Sequence, residues 1–163
     1  MFRFMSKEEA ADCIRDGAVV GINSFLSLCN PQALHEGIYQ RFMAEGHPCG
    51  LTLLCASGYG RRDEEGFAEP YVAAGAVRRV IASHYATMPV TQRMALAGEI
   101  EAYCLPLSAI SHGIRAGAGG QRGCLSQVGL GLFVDPRQQG PGVNARSQEK
   151  LVELVQLDGE EYL

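Results

Sequence analysis

Apolar residues gather at 18–22, a continuous apolar run of strand type, and at 51–56, a second buried strand, with third and fourth strands expected at 77–83 and 99–105. The segments between them carry helical signals. Ser6, followed three residues later by Glu9, matches a capping box, in which each side chain satisfies a backbone donor of the other. The helix it opens is expected to run to about residue 15, where Asp16-Gly17 stops it. Asn30-Pro31 reads as the N-cap and first position of a second helix reaching Glu45, with Leu34, Ile38 and Phe42 on one face. Gly46 and Pro48 end it. Further helices are expected over 67–74, 89–97 and 106–116, the last with Pro106 near its first turn.

Strands alternating with helices through short connections indicate βαβ units and a parallel sheet. The expected fold is α/β, an open and mostly parallel sheet with helices on both faces, forming one domain over 1–163. Beyond Gly117 the alternation fails. A glycine-rich segment, a candidate strand at 125–132 and a loop over 135–148 precede a last strand-like run at 151–157. Open α/β sheets bind ligands beyond the carboxyl ends of their strands, so chemistry is expected in the loops after Ile22, Ala56, Ser83 and Leu105.

Composition narrows the class. The 163 residues are 47% hydrophobic and 20% charged, which suits a folded core, and no run approaches the roughly 20 apolar residues of a membrane span. A net charge of −4 without a basic block argues against nucleic acid and anionic membrane as partners. The six cysteines include no CxxC pair, and the N-terminus turns charged before any apolar leader region forms. These features predict a cytoplasmic protein with reduced thiols and no metal site. Glycine is enriched, and ten of the 20 fall from Gly113 onward.

Individual motifs are less specific. Gly129-Leu130-Gly131 opens like a dinucleotide fingerprint, but Val134 stands where the third glycine belongs. The segment 115–123 reads as a helix end followed by a turn, or as a nest of amides for an anion; it lacks the ending of a nucleotide P-loop. Asp135-Pro136-Arg137 reads as a turn in which Arg137 pairs with Asp135 or a carbonyl, or serves a ligand. His84 follows a buried strand toward the expected site but has no recognisable triad around it. His35, His47 and His112 read as helix-surface or turn residues, and Asp63, Glu64 and Glu65 as a solvated acid run. The loop from Gly21 to Asn30 leads into a helix N-terminus, where amides can hold a carboxylate or a developing oxyanion.

Taken together the segments resemble family I CoA-transferases of the acetate/propionate/3-ketoacid type. The run VGLGLFVDPRQQGPGVN, 128–144, is similar to a signature in which a glycine-rich strand leads into a TFVDPR-like turn and a G-x-x-N segment. SKEEAADCIRDGAVV, LTLLCASGYGRR, AVRRVIASHYATMP, EIEAYCLP, IRAGAGGQRG and LVELVQLDGEEYL resemble, in order and spacing, the rest of that family's N-terminal half. The resemblance implies an open CoA-transferase-like sheet and a ping-pong reaction. In it a glutamate attacks an acyl-CoA, and a glutamyl-CoA thioester forms before CoA passes to a second carboxylate. Coenzyme A is then a thioester substrate and not a permanent cofactor.

The resemblance also implies that the nucleophilic glutamate lies in a C-terminal half outside this chain. None of Glu64, Glu65, Glu99, Glu101, Glu160 or Glu161 stands in its context, so no residue here is assigned as catalytic. Asn23, Ser24, Phe25, Ser57, Gly58 and Gly60 are expected to form the substrate and oxyanion pocket, with Gly129, Gly131, Asp135 and Arg137 on a loop near it. Two departures stand out: Ile22-Asn23-Ser24-Phe25 replaces the family's glycine pair after the first strand, and Leu132 replaces its threonine. The expected partners are a C-terminal half or subunit, a short-chain carboxylate or acyl-CoA, and further copies in a homo- or hetero-oligomer. The alternative is a non-catalytic binding or assembly module that retains the fold.

Overall fold

The structure, a computed structural model, describes residues 3–62 and 65–163; Asp63 and Glu64 of the acid run lie outside the described residues. Helix α1 (Lys7–Asp12) opens with the capping box expected, the Ser6 hydroxyl accepting from the Glu9 amide and the Glu9 carboxylate from the Ser6 amide. Strand β1 (Val19–Gly21), helix α2 (Gln32–Glu45), strand β2 (Leu51–Cys55), helix α3 (Glu69–Ala73), strand β3 (Val77–Ala82), helix α4 (Pro89–Leu96), strand β4 (Glu101–Cys104) and helix α5 (Leu107–Ala118) follow in strict alternation. The four strands form one sheet in the order β1-β2-β3-β4, every pair parallel.

Register decides which side chains meet. Val20, Leu53, Val80 and Ala102 share one row, and its last three members are fully buried in the core with Ile38, Tyr71 and Val72. The neighbouring row, Gly21, Leu54, Ile81 and Tyr103, faces the other way. On that second face a groove of about 1070 Å³ separates Gly21, Leu54 and Ile81 from Ile110, Gly113 and Ile114 of α5. Helices therefore flank both faces, one densely and one loosely. The close approach of α1 to α2 needs Gly37, where a Cβ would lie 2.7 Å from the Lys7 carbonyl oxygen.

The two sheet edges differ. Along β4 the segment 141–143 runs antiparallel, the Cys104 amide donating to the Pro141 carbonyl and the Val143 amide to the Ala102 carbonyl. Asn144 continues this seam by donating to the Ala95 and Ile100 carbonyls, and Ser147 exchanges hydrogen bonds with both backbone groups of Ala102. At the opposite edge no strand among the described residues pairs with the outer side of β1, and Val19 is 65% exposed.

Several local expectations change. Helix α1 ends at Asp12 rather than near residue 15. Pro31, not Asn30, occupies the N-cap of α2, and the Asn30 side chain turns instead to the Leu26 and Tyr59 carbonyls, to which its Nδ2 donates. Leu34 is 45% exposed while His35 is buried, so the apolar face of α2 is rotated from the one expected. Residues 125–132 form turns and no strand: Gly129 and Gly131 hold φ of +104° and +72°, outside any strand conformation. The last strand-like run is reduced to β5 (Val155–Leu157), which turns at Asp158-Gly159 into antiparallel β6 (Glu160–Tyr162). Asp-Gly between strands is a hairpin signal, and both residues adopt the positive φ it requires.

Candidate functional site

The loops at the carboxyl ends of β1, β2 and β3 meet. Within the first, Phe25 and Leu28 exchange backbone hydrogen bonds around Leu26, which is held at φ +54°, and Cys29 follows at +58°. The turn leaves Asn23 and Phe25 exposed and Ser24 half-buried, with the Ser24 hydroxyl oxygen shielded from solvent and without a partner among the described residues. Asn30 then stitches this loop to the next, donating at 2.8 Å to both the Leu26 and the Tyr59 carbonyl oxygens. Sequence reading placed Asn23, Ser24 and Phe25 with Ser57, Gly58 and Gly60; the Asn30 bridge joins the two loops that carry them.

The second loop is held on every side. His84, at the end of β3, accepts the Gly58 amide on Nε2 at 3.2 Å, with the Ser57 hydroxyl equally close to the same nitrogen. Since Gly58 N–H can only donate, Nε2 is the acceptor and the neutral ring carries its proton on Nδ1. That Nδ1 and the hydroxyl of Thr87 are both buried without partners among the described residues. Glycine is required twice here. A Cβ on Gly58 would sit 2.8 Å from His84 Cε1, and one on Gly60 would fall 1.9 Å from the Thr87 carbonyl oxygen.

Between the two glycines, Tyr59 is fully buried and its hydroxyl meets that of Thr91 at 2.5 Å. Thr91 in turn hydrogen-bonds Glu69, whose carboxylate also accepts the amides of Val90 and Thr91 in the first turn of α4. Glu69 thus caps α4 from another helix. Burial pushes its carboxyl up from the ordinary range, against the pull of these hydrogen bonds and of Arg93. Glu69, Thr91, His84 and Asn30 were not singled out for this role by sequence reading, since their partners lie 21 to 32 positions away.

His35 is another departure: it is 2% exposed, stacked on Tyr71 and hydrogen-bonded through Nδ1 to the Tyr71 hydroxyl at 3.0 Å. Burial pushes its pKa down to about 4. Its two companions behave differently. His47 is exposed and pairs with Asp16 at 2.8 Å, and Asp16 also accepts the Cys49 amide, which ties the amino ends of β1 and β2 together. Asp16, His47 and Cys49 form a group of metal-capable atoms within 4.8 Å of one another, on the sheet edge away from the loops described above.

The glycine-rich segment lies at the far side of the site. Gly119 caps α5, and the Gln121 amide returns to the Ala116 carbonyl, so 115–123 forms a helix end and turn. Gly129 packs against Pro106, Val134 and Leu163, beside the end of β4, and Val128 and Val134 line the groove. Asp135 is fully buried and accepts the Gly131 and Arg137 amides as well as the Arg137 guanidinium. These contacts hold its carboxyl well below the usual range, the Arg137 side chain being the largest cause. Arg137 reaches on to Glu161 in β6, clamping the hairpin to the turn.

Carboxylates are similarly engaged: Glu101 is held by Arg78 and Arg79, Glu161 by Arg137, and Glu160 by Gln127. Arg79 also pairs with Glu149 and lies over the Tyr103 ring.

A parallel four-stranded α/β sheet with glycine-dependent loops interlocked at its carboxyl edge defines the class. The sequence profile of the coenzyme A transferase family matches residues 4–163, and the chain belongs to that family. It is 35% identical to a caffeate CoA-transferase of Acetobacterium woodii over 163 residues, all of this chain and 31% of that protein. It is 31% identical to the acetate CoA-transferase YdiF of Escherichia coli K12, covering 98% of this chain and 30% of that one. The chain thus spans about a third of the length of these relatives. Among solved structures, the thioester complex with CoA of YdiF from E. coli O157:H7 superposes with a TM-score of 0.88 at 29% identity, over 97% of this chain and 31% of that one. The decarboxylase AibA/AibB shares the fold at 19% identity and a TM-score of 0.63.

Proposed function

We propose that this chain is the N-terminal domain of an acyl-CoA:carboxylate CoA-transferase acting on short-chain acyl or 3-keto acids. It supplies the acyl and carboxylate pocket, and a C-terminal half supplies the nucleophilic glutamate. The observation that carries the reading is the similarity along the whole chain to YdiF, whose structure is a thioester complex with CoA. In the ping-pong reaction the glutamate attacks the acyl-CoA to give an acyl-glutamyl anhydride and CoA thiolate. The thiolate attacks the glutamyl carbonyl, forming the glutamyl-CoA thioester and releasing the first carboxylate. The same steps in reverse with the second carboxylate pass CoA to it and free the glutamate.

The residues present act by positioning. The Gly58 amide is committed to His84, whereas the Ser24 hydroxyl is shielded and unspent. Ser24 is therefore the better donor to a developing oxyanion, in place of the glycine amides that the family's first loop supplies. The rigid 57–60 loop forms the opposite wall. The loosely filled groove between α5 and the second sheet face is the surface on which the complementary half packs. On this reading the protein works in the cytoplasm as a homo- or hetero-oligomer.

Acetyl-CoA:propionate exchange tests it. No exchange is expected from the chain alone, and exchange is expected once a complementing C-terminal half is added. Exchange by the chain alone overturns the assignment of the nucleophile to the other half. Its absence with every complementing half overturns the transferase reading.

A further inference from the structure

At the amino ends of β1 and β2, away from the loops at the carboxyl edge, three side chains of different donor type converge. Asp16 comes from the turn before β1, and His47 and Cys49 stand on either side of Pro48 before β2. Asp16 Oδ2 lies 2.8 Å from His47 Nδ1, and a carboxylate oxygen, an imidazole nitrogen and the Cys49 sulfur all fall within 4.8 Å of one another. Two further hydrogen bonds fix the turns against each other whatever His47 does. The Cys49 amide donates to Asp16 Oδ1, and the Gly17 amide donates to the Cys49 carbonyl, both at 2.8 Å.

These distances are close to those of a coordination sphere. Tetrahedral zinc holds oxygen, nitrogen and sulfur ligands roughly 3.5 Å apart, so the Asp16–His47 pair need open by only about 0.5 Å and the widest separation close by about 1 Å. Both side chains are about half exposed and free to make that adjustment. With Oδ1 tied to the Cys49 amide, the carboxylate is held so that Oδ2 alone is turned toward the imidazole, the oriented single-oxygen arrangement in which carboxylates commonly bind metals. Imidazole and thiolate donors exclude magnesium and calcium, which take oxygen ligands. Charge also balances. The Cys49 thiol gives its proton to solvent, and the thiolate and the Asp16 carboxylate together neutralise a dication. His47 stays neutral, its proton passing through solvent to Nε2 when Nδ1 coordinates.

We propose that Asp16, His47 and Cys49 bind one Zn²⁺, with water in the fourth position, forming a clip between the turns that lead into β1 and β2. Spacing along the chain predicts no metal site because Asp16 stands 31 positions from His47 and 33 from Cys49; only the parallel pairing of β1 with β2 brings them together.

The test uses the full chain with its thiols kept reduced, and Co²⁺ as a coloured stand-in for Zn²⁺. Cobalt should develop a thiolate-to-metal charge-transfer band that saturates at one ion per chain and is bleached by Zn²⁺. C49S should lose the band, and H47Q should need about a hundredfold more cobalt. At about a hundredfold excess over its Kd, Zn²⁺ should raise the melting temperature by about 5–10 °C in the parent chain and in neither variant, and Mg²⁺ should not raise it. His47 is a surface residue, so H47Q keeps the fold and reads the site even if C49S does not. Absence of a saturable band in the folded chain overturns the proposal. So does a band that survives in C49S, which would place the ion on another thiol such as the exposed Cys13 or Cys29. Binding in H47Q equal to that of the parent chain, or equal stabilisation by Mg²⁺, overturns it as well.

Discussion

Burial keeps the His35 imidazole neutral, and this makes the fold acid-sensitive at one residue. Its folded pKa of about 4 lies below the ordinary 6.5, so between these values the unfolded chain binds the extra proton. The contribution is fully present above pH 6.5 and is lost as the pH falls toward 4. Urea denaturation at pH 7, 6 and 5 should show the unfolding free energy falling by up to about 1.4 kcal/mol per pH unit from this group. In H35F that part of the dependence should vanish; an unchanged slope would show that His35 is not the titrating group. Nothing on α2 announces this histidine. Its spacing fits an exposed helix position, and only Tyr71, brought in from α3, buries it and uses its nitrogen.

Among the elements, the turns separate glycines that spacing alone cannot rank. Gly131 faces open space, so an alanine there suffers only the strain of φ +72°, about 1 kcal/mol. At Gly129 the strain of φ +104° is joined by a Cβ placed 2.6 Å from Cγ1 of the buried, β-branched Val134, which gives way only by turning at χ1. Gly60 has no such relief, since the obstacle is the backbone carbonyl of Thr87 in a loop anchored to His84 and Thr91. Thermal unfolding should rank the destabilisation as Gly60→Ala, then Gly129→Ala, then Gly131→Ala. A Gly131→Ala protein less stable than Gly60→Ala would contradict the interlocked loop. The four parallel strands were legible because each is a short, largely apolar segment set between helical ones. Residues 125–132 have a similar composition and still turn, because the buried Asp135 carboxylate captures the Gly131 amide. That capture depends on Arg137 neutralising Asp135, and no periodicity records it.

For the whole molecule, the open edge at β1 and the loosely filled second face leave apolar surface without cover. Val19, Leu125, Leu132 and Phe133 are each about half exposed or more, and an open strand edge and exposed apolar side chains favour association. Light scattering at tens of micromolar should give a dimer or larger species, and Val19→Lys at the edge should shift it toward monomer. A strict monomer would mean that these faces tolerate water. The sequence alone determined the alternation of strands and helices, the parallel sheet, the α1 capping box and the family, because these rest on local runs and on motifs read in order. Tertiary structure alone decided which polar groups remain unspent. Ser24, His35 and Glu69 differ from ordinary surface residues only through partners that the fold carries to them or withholds. Whether a polar atom is consumed or left unspent is a property of packing between segments far apart in the chain.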